Sequence, residues 1–292
     1  MALVVIWGVN FSVVKVALEE LEPHAFNALR FPLACLALYA VVRVLRLPLV
    51  PERKHWPAIV GIAVLGNVAY QWLFILGIDA TRAGNASVIL ATVPVWTAFL
   101  SLALGHEKPG PALWAATVGT LAGMALVVLG GPSEVELGGA TLGGDVLMIA
   151  AAVCWAAYTV GSRPLVTRYG ALPVTAWTVW IGTVGLLILG TPSLARTDYR
   201  GVSAAAWVAV VYAGILALAV AYVAWYRGVQ KIGSSRTAVY SNLIPVVALA
   251  VAWVWIGEVP TFLQLLGAAV IIGSLSLARR APTATSKGGR LS

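Results

Sequence analysis

The chain has 292 residues, of which 60% are hydrophobic and 10% charged, with a formal net charge of +8. A typical soluble domain carries about 25% charged residues, so this composition excludes a soluble globular protein and indicates an integral membrane protein. The basic residues lie between apolar runs and form no aromatic-interleaved patch, so the positive charge speaks of membrane topology and not of nucleic acid.

A spanning helix needs about 20 apolar residues. In chain order the sequence predicts ten: 2–18, 25–45, 56–76, 84–105, 112–130, 143–162, 172–191, 204–224, 235–256 and 261–278. Such long continuous runs are helices, since outer-membrane strands would alternate over about ten residues. Pro and Gly punctuate the connections, as in "LPLVPERKHWP" and "HEKPGP". The first run has neither a basic leader nor a small-residue cleavage site, which argues against a signal peptide. It opens directly at Met1, and whether the native chain extends further is open.

With the N-terminus placed in the cytoplasm, the inner segments carry 14 of the 19 basic residues, and Arg82, Arg196 and Arg200 fall outside. The positive-inside rule therefore puts both termini in the cytoplasm of a multi-pass inner-membrane protein. A disordered tail is expected over 281–292.

The third to fifth runs match the eighth to tenth at an offset of 151: Gly77 with Gly228, Pro94 with Pro245, Glu107 with Glu258, Pro109 with Pro260. The first and sixth runs match at offsets of 148 to 150, through Trp7 with Trp155 and Pro23 with Pro173. Two five-span repeats follow, 1–131 and 143–280, joined by a periplasmic loop over 132–142. Five is odd, so the second repeat enters the membrane inverted, a design frequent in secondary transporters that enclose a solute between two halves.

Cys35 and Cys154 lie in apolar runs and read as small buried hydrophobes. No histidine falls at mid-span, no catalytic motif is present, and no metal, cofactor or enzymatic activity is expected. No carboxylate lies clearly at mid-span, which favours a facilitative mechanism over proton coupling. Asn67, Tyr70, Gln71 and Phe74 share one helical face of the third span, and Trp155, Tyr158, Thr159 and Ser162 repeat the spacing in the sixth. Aromatic walls with a few orienting polar groups suit amphipathic solutes. The candidate cavity residues are Asn10, Tyr70, Gln71, Asn85, Trp96, Trp155, Tyr158, Tyr222, Tyr240 and Asn242. The competing reading of the Trp and Tyr residues is an interfacial belt.

Lys15 and Arg30 are the exceptional charges within the spans, both toward the outer side. Either they snorkel outward or pair with Glu19, Glu20 or Glu22, or they form an outer-mouth gate that holds a solute carboxylate. Pro94 and Pro245 are hinges or fixed kinks.

"WGVNFSVVK", then Pro23 and "LRFPLA", resembles the opening of the drug/metabolite transporter superfamily in its EamA branch. "ASVILATVPVWTAFLSLALGHE" is similar to the fourth span of that family, and "SNLIPVVALAVAWVWIGEVPTFLQLLGAAVIIGSL" to its ninth and tenth. Within the branch the chain resembles amino-acid and metabolite exporters, including the YddG-type exporters of aromatic amino acids. The resemblance implies a cavity lined by spans 1–4 and 6–9, with spans 5 and 10 packed together at the side. Small residues in those two spans, Gly119, Gly123, Gly267 and Gly273, agree with close helix contact. The reading is an exporter of amino acids or related metabolites working by alternating access. A multidrug or purine-type exporter and a non-transporting receptor or assembly protein are the alternatives. The partners are a small-molecule solute and the lipid bilayer, and the oligomeric state is open.

Overall fold

The computed structural model describes residues 2–81, 83–131, 139–251, 253–254 and 259–280. The tail over 281–292, Glu258, most of the loop over 132–142 and the Lys15 side chain lie outside the described residues. Every regular element among the described residues is a helix, because without water each backbone N–H and C=O must be satisfied within its own segment.

The elements are α1 (Ala2–Leu18), α2 (Pro23–Val44), α3 (Trp56–Ala63), α4 (Tyr70–Ala80), α5 (Ala83–Leu90), α6 (Val93–Ala103), α7 (Pro111–Leu129), α8 (Leu142–Tyr169), α9 (Ala171–Arg196), α10 (Ala204–Tyr212), α11 (Ala221–Ile232), α12 (Ser234–Ser241), α13 (Ile244–Val251) and α14 (Phe262–Arg280). A π-helical turn, Val64–Ala69, joins α3 to α4, and a second, Ala213–Val220, joins α10 to α11.

Seven of these helical runs are long and apolar enough to cross a membrane: Pro23–Val44, Arg53–Gly77, Asn85–Ala103, Pro111–Leu129, Leu142–Tyr169, Ala171–Arg196 and Ala204–Ile232. The three other expected spans correspond to the 17-residue α1, to the divided pair α12 and α13, and to the apolar helix Phe262–Ala278. The sixth to eighth runs extend beyond their expected ends, α8 to Tyr169, α9 to Arg196 and α11 to Ile232. An apolar-run criterion stops at the first charges, whereas a helix continues past them into the interface.

Pro94 and Pro245 do not kink continuous helices. Two turn residues, 91–92, separate α5 from α6, and 242–243 separate α12 from α13. Each proline stands second in the helix that follows, where a missing N–H costs nothing.

The helix bounds recur at the 151-residue offset. Ala83–Leu90 corresponds to Ser234–Ser241, Val93 to Ile244, and Pro111–Leu129 to Phe262–Arg280. The two π-helical turns coincide under the same offset at their ends, Ala69 and Val220.

Packing follows the same correspondence. α2 lies along α9, and α7 along α14. In the second pair a Cβ on Gly267 would stand 2.5 Å from the Gly123 carbonyl oxygen, so only glycine permits that approach. The main core joins Phe31 and Leu38 of α2, Trp155 and Tyr158 of α8, Val174 and Trp177 of α9, and Tyr222, Trp225 and Tyr226 of α11.

Candidate functional site

Trp155 of α8 stands at the centre of this core. Its ring centroid lies 4.9 Å from Tyr70, 5.4 Å from Tyr158, 5.4 Å from Tyr222, 5.5 Å from Trp225 and 5.9 Å from Trp7. Trp7 also meets Tyr222 edge-on at 6.1 Å. Offset and edge-to-face arrangements at these spacings are the favourable ones for aromatic pairs. The rings come from α1, α4, α8 and α11, and in this conformation they pack against one another.

Two of the three indoles have a defined hydrogen-bond partner. Trp7 Nε1 donates to the Ala217 carbonyl oxygen at 2.9 Å, inside the second π-helical turn, whose altered register changes which carbonyls the helix itself uses. Trp225 Nε1 donates to Thr159 Oγ1 at 3.2 Å. Gly66, in the first π-helical turn, lies flat against the Tyr158 ring, where any Cβ would overlap ring atoms.

A polar layer adjoins the rings. Gln71 Nε2 donates to Tyr222 Oη at 3.3 Å, and Gln71 Oε1 accepts from Arg30 Nη2 at 3.0 Å. Asn67 Nδ2 donates to Tyr158 Oη at 3.4 Å and to the Thr178 carbonyl at 3.3 Å. The buried atoms Asn10 Oδ1, Asn67 Oδ1 and Tyr226 Oη have no hydrogen-bond partner among the described residues. Unsatisfied buried polar atoms are uncommon in native interiors.

The structure thus brings Tyr70, Gln71, Trp155, Tyr158 and Tyr222 together, with Trp96 packed at the edge of the same core and its Nε1 on Thr92 Oγ1 at 3.0 Å. It separates three of the other candidates from them. Asn85 Nδ2 donates to Asp145 Oδ1 at 2.9 Å, near the start of α8. Asn242 Nδ2 donates to Thr120 Oγ1 at 3.0 Å, against α7. Tyr240 packs on the Leu113, Ile271 and Leu275 cluster between α7 and α14. Sequence position alone gave these residues a polar place within a span, and the helix break at 242–243 turns Asn242 toward the flank.

Arg30 does not snorkel outward, and among the described residues it pairs with no acid. It is 6% exposed, its Nε donates to Asn27 Oδ1 at 3.0 Å, and its guanidinium lies 4.8 Å from the Phe26 ring. Glu20 instead accepts from Ser203, and Glu22 from Arg196.

Two features escaped the sequence reading. Asp145 is a buried carboxylate that accepts from Thr81, Asn85 and Thr141. At the opposite end of the bundle, Glu107 accepts from the Ser234 and Ser235 backbone N–H groups and pairs with Arg163 at 3.0 Å. The Glu107 signal was present in its repeat match to Glu258, although a match says nothing of the partner. No group of three or more His, Cys, Asp or Glu residues able to hold a metal ion occurs among the described residues.

The model of the EamA-like transporter family matches residues 1–129 and again 142–280. The chain belongs to the EamA-like transporter family. It is 30% identical over 277 residues to a probable terminal-alkyne amino-acid exporter of Streptantibioticus cattleyicolor, covering 95% of this chain and 91% of that protein. It is 29% identical over 272 residues to the uncharacterized transporter YdfC of Bacillus subtilis, covering 92% and 86%. It is 29% identical over 290 residues to a probable amino-acid metabolite efflux pump of Salmonella typhimurium, covering 93% and 90%. One crystal structure shares the fold at a TM-score of 0.83 and 19% identity, covering 95% of this chain and 93% of that one. This EamA-family chain is a multi-pass inner-membrane transporter of a small molecule, and its family and named relatives are transporters rather than enzymes.

Proposed function

We propose that this EamA-family transporter exports amino acids or closely related amphipathic metabolites through the central aromatic site. The carrying observation is that correspondent residues of the two sequence halves meet there, Trp7 with Trp155 and Gln71 with Tyr222. A site built where two halves meet is exposed to one side or the other as the halves rock. The ten expected spans, five to a half with inverted orientation and both termini cytoplasmic, are the frame of this reading.

Aromatic faces cover the apolar part of a solute, and Gln71, Asn67 and Asn10 orient its polar part. The amino-acid assignment draws on the names of two relatives, the terminal-alkyne amino-acid exporter and the amino-acid metabolite efflux pump. With no carboxylate in the aromatic cluster among the described residues, export down a concentration gradient is the simplest energetics.

The test is solute flux in proteoliposomes against a panel of Trp, Phe, Met, Thr and purines, with and without a pH gradient. Flux of an amino acid without the gradient is the expected result. Flux of purines alone assigns the other exporter class, a strict need for the gradient removes the facilitative mechanism, and no flux of any solute sinks the proposal.

A further inference from the structure

We propose that Arg30 is the anion anchor of the central site, so that the transported solute carries a carboxylate. This deepens the transport reading and rests on it.

A guanidinium has five N–H donors and no acceptor. Two donors of Arg30 are used, on Asn27 Oδ1 and on Gln71 Oε1, each at 3.0 Å. Both acceptors are neutral, and no carboxylate pairs with Arg30 among the described residues. Nη1 makes no hydrogen bond there. A cation at this depth is costly unless a partner neutralises it. A purely structural arginine would be ion-paired or fully bonded, or replaced by an apolar residue. Arg30 is held in place but left unneutralised.

The holding is directional. Asn27 and Gln71 fix two positions of the planar fork, and Phe26 and Phe31 cover it at 4.8 and 5.8 Å. Gln71 then reaches Tyr222, which packs on Trp7 and Trp155. The free donors are thus one side chain removed from the rings that would cover the apolar part of a solute. A planar fork with spare N–H groups matches a carboxylate. A single fixed positive charge suits a monoanion better than a phosphate dianion.

The repeat supplies the internal control. In the register that matches Pro23 with Pro173, the residue equivalent to Arg30 is Trp180. Trp180 Nε1 donates to the Cys35 carbonyl at 3.2 Å and serves helix packing. The architecture does not require a charge at this position, since one of its two copies has none.

The experiment uses the full-length protein in detergent and two probes of matched shape, 3-phenylpropionate and its neutral amide, 3-phenylpropanamide. Tryptophan fluorescence titration gives the affinities. The wild type is expected to bind the carboxylate about tenfold or more tightly than the amide. Arg30→Gln is expected to erase that preference while changing amide affinity less than about twofold, and Arg30→Lys to keep part of it. Equal affinity of the wild type for both probes, or binding of neither, overturns the proposal without any variant. So does a preference that survives in Arg30→Gln. Labelled phenylalanine flux in proteoliposomes separates the two readings. Carboxylate preference without flux sinks transport and spares the anion site, and flux without the preference does the reverse.

Discussion

Gln71 and Tyr222 are joined by a hydrogen bond of 3.3 Å, and they stand 151 residues apart, the offset at which the helix bounds of α5, α7, α12 and α14 recur. The bond therefore links equivalent points of two similar helices. Gln71 also accepts from Arg30, and the two bonds are unequal in weight. Side-chain hydrogen bonds within membranes average roughly 0.6 kcal/mol, whereas a buried charge that loses a partner costs about 1–3 kcal/mol. Gln71→Leu is expected to destabilise by about 2 kcal/mol and Tyr222→Phe by less than about 1. Because the Tyr222 hydroxyl serves this link alone among the described residues, the double variant should cost about as much as Gln71→Leu alone. Denaturant unfolding in detergent checks this, and strictly additive costs would refute the linkage.

The α7–α14 contact carries none of the central aromatics, so damage there should separate folding from solute binding. A Cβ on Gly267 meets backbone at 2.5 Å, and backbone does not rotate away. Gly267→Val is expected to cost about 3 kcal/mol, at the upper end of overpacking penalties. Gly273 faces open space, so Gly273→Ala should be tolerated. The surviving folded fraction of Gly267→Val should bind solute with unchanged KM. A raised KM would place α14 in the transport path.

Asn10 Oδ1 is buried without a partner among the described residues, so it weakens the fold unless a solute completes it. Asn10→Leu is expected to raise stability by about 1 kcal/mol and to lower transport. Opposite movements in melting temperature and in flux per folded molecule are the signature. For the same reason Asn10→Ala should impair transport more than Lys15→Ala at matched expression. Equal losses would remove Asn10 from the site.

Glu52, in the loop between α2 and α3, gives a pH test away from the membrane interior. Hydrogen bonds from Arg168 and then Lys54 lower its carboxyl pKa from 4.5 to about 2. A depressed folded-state pKa means stabilisation that is full above about 4.5 and lost as pH falls through about 2. The melting temperatures of wild type and Glu52→Gln should therefore differ at pH 7 and converge over that window. The pair is exposed, so the difference is small and shrinks further in high salt.

Much of this was legible in the sequence, because bilayer thickness and helix rise constrain an apolar run strongly. The apolar runs marked where helices lie. The i, i+3, i+4, i+7 spacing of Asn67, Tyr70, Gln71 and Phe74 marked the face that meets Trp155. Pro94 and Pro245 mark a hinge or a kink in the sequence, and the structure has helix breaks at 91–92 and 242–243, since a proline signals interruption without saying how many residues leave the helix. Arg30 was read by its distance from Pro23, and distance along a helix does not reveal which neighbour faces it. Its burial depends on α9 and the second π-helical turn packing on α2 and on Gln71 reaching it from α4, which no local pattern encodes. Asn85 and Asn242 were grouped with the site for their polarity, but polarity does not distinguish a cavity wall from a helix-end cap.

Glu107 offers the most direct test of how the molecule closes. It follows α6, accepts from Ser234 N at 2.6 Å and Ser235 N at 3.1 Å, and pairs with Arg163 at 3.0 Å. One carboxylate thus ties the end of α6 to α8 and to the start of α12. Gly233, at φ +89°, lets α12 start beside the carboxylate, where a Cβ would stand 2.5 Å from Glu107 Oε1. Under the proposed alternating access, this tie breaks whenever that end opens. Glu107→Ala removes the ion pair and both backbone contacts, and is expected to lower stability by about 2–3 kcal/mol. Glu107→Gln keeps an acceptor for Ser234 and should cost about half as much. With Cys35 and Cys154 replaced by alanine, a cysteine at Thr237 reports on that end, because Thr237 is buried in α12. Its labelling by a membrane-impermeant maleimide, applied from the inner side, should accelerate on the order of tenfold in Glu107→Ala. Glu107→Gln should fall between that variant and the unmutated clamp. Unchanged labelling, with the lowered stability still present, would make Glu107 a helix cap and nothing more.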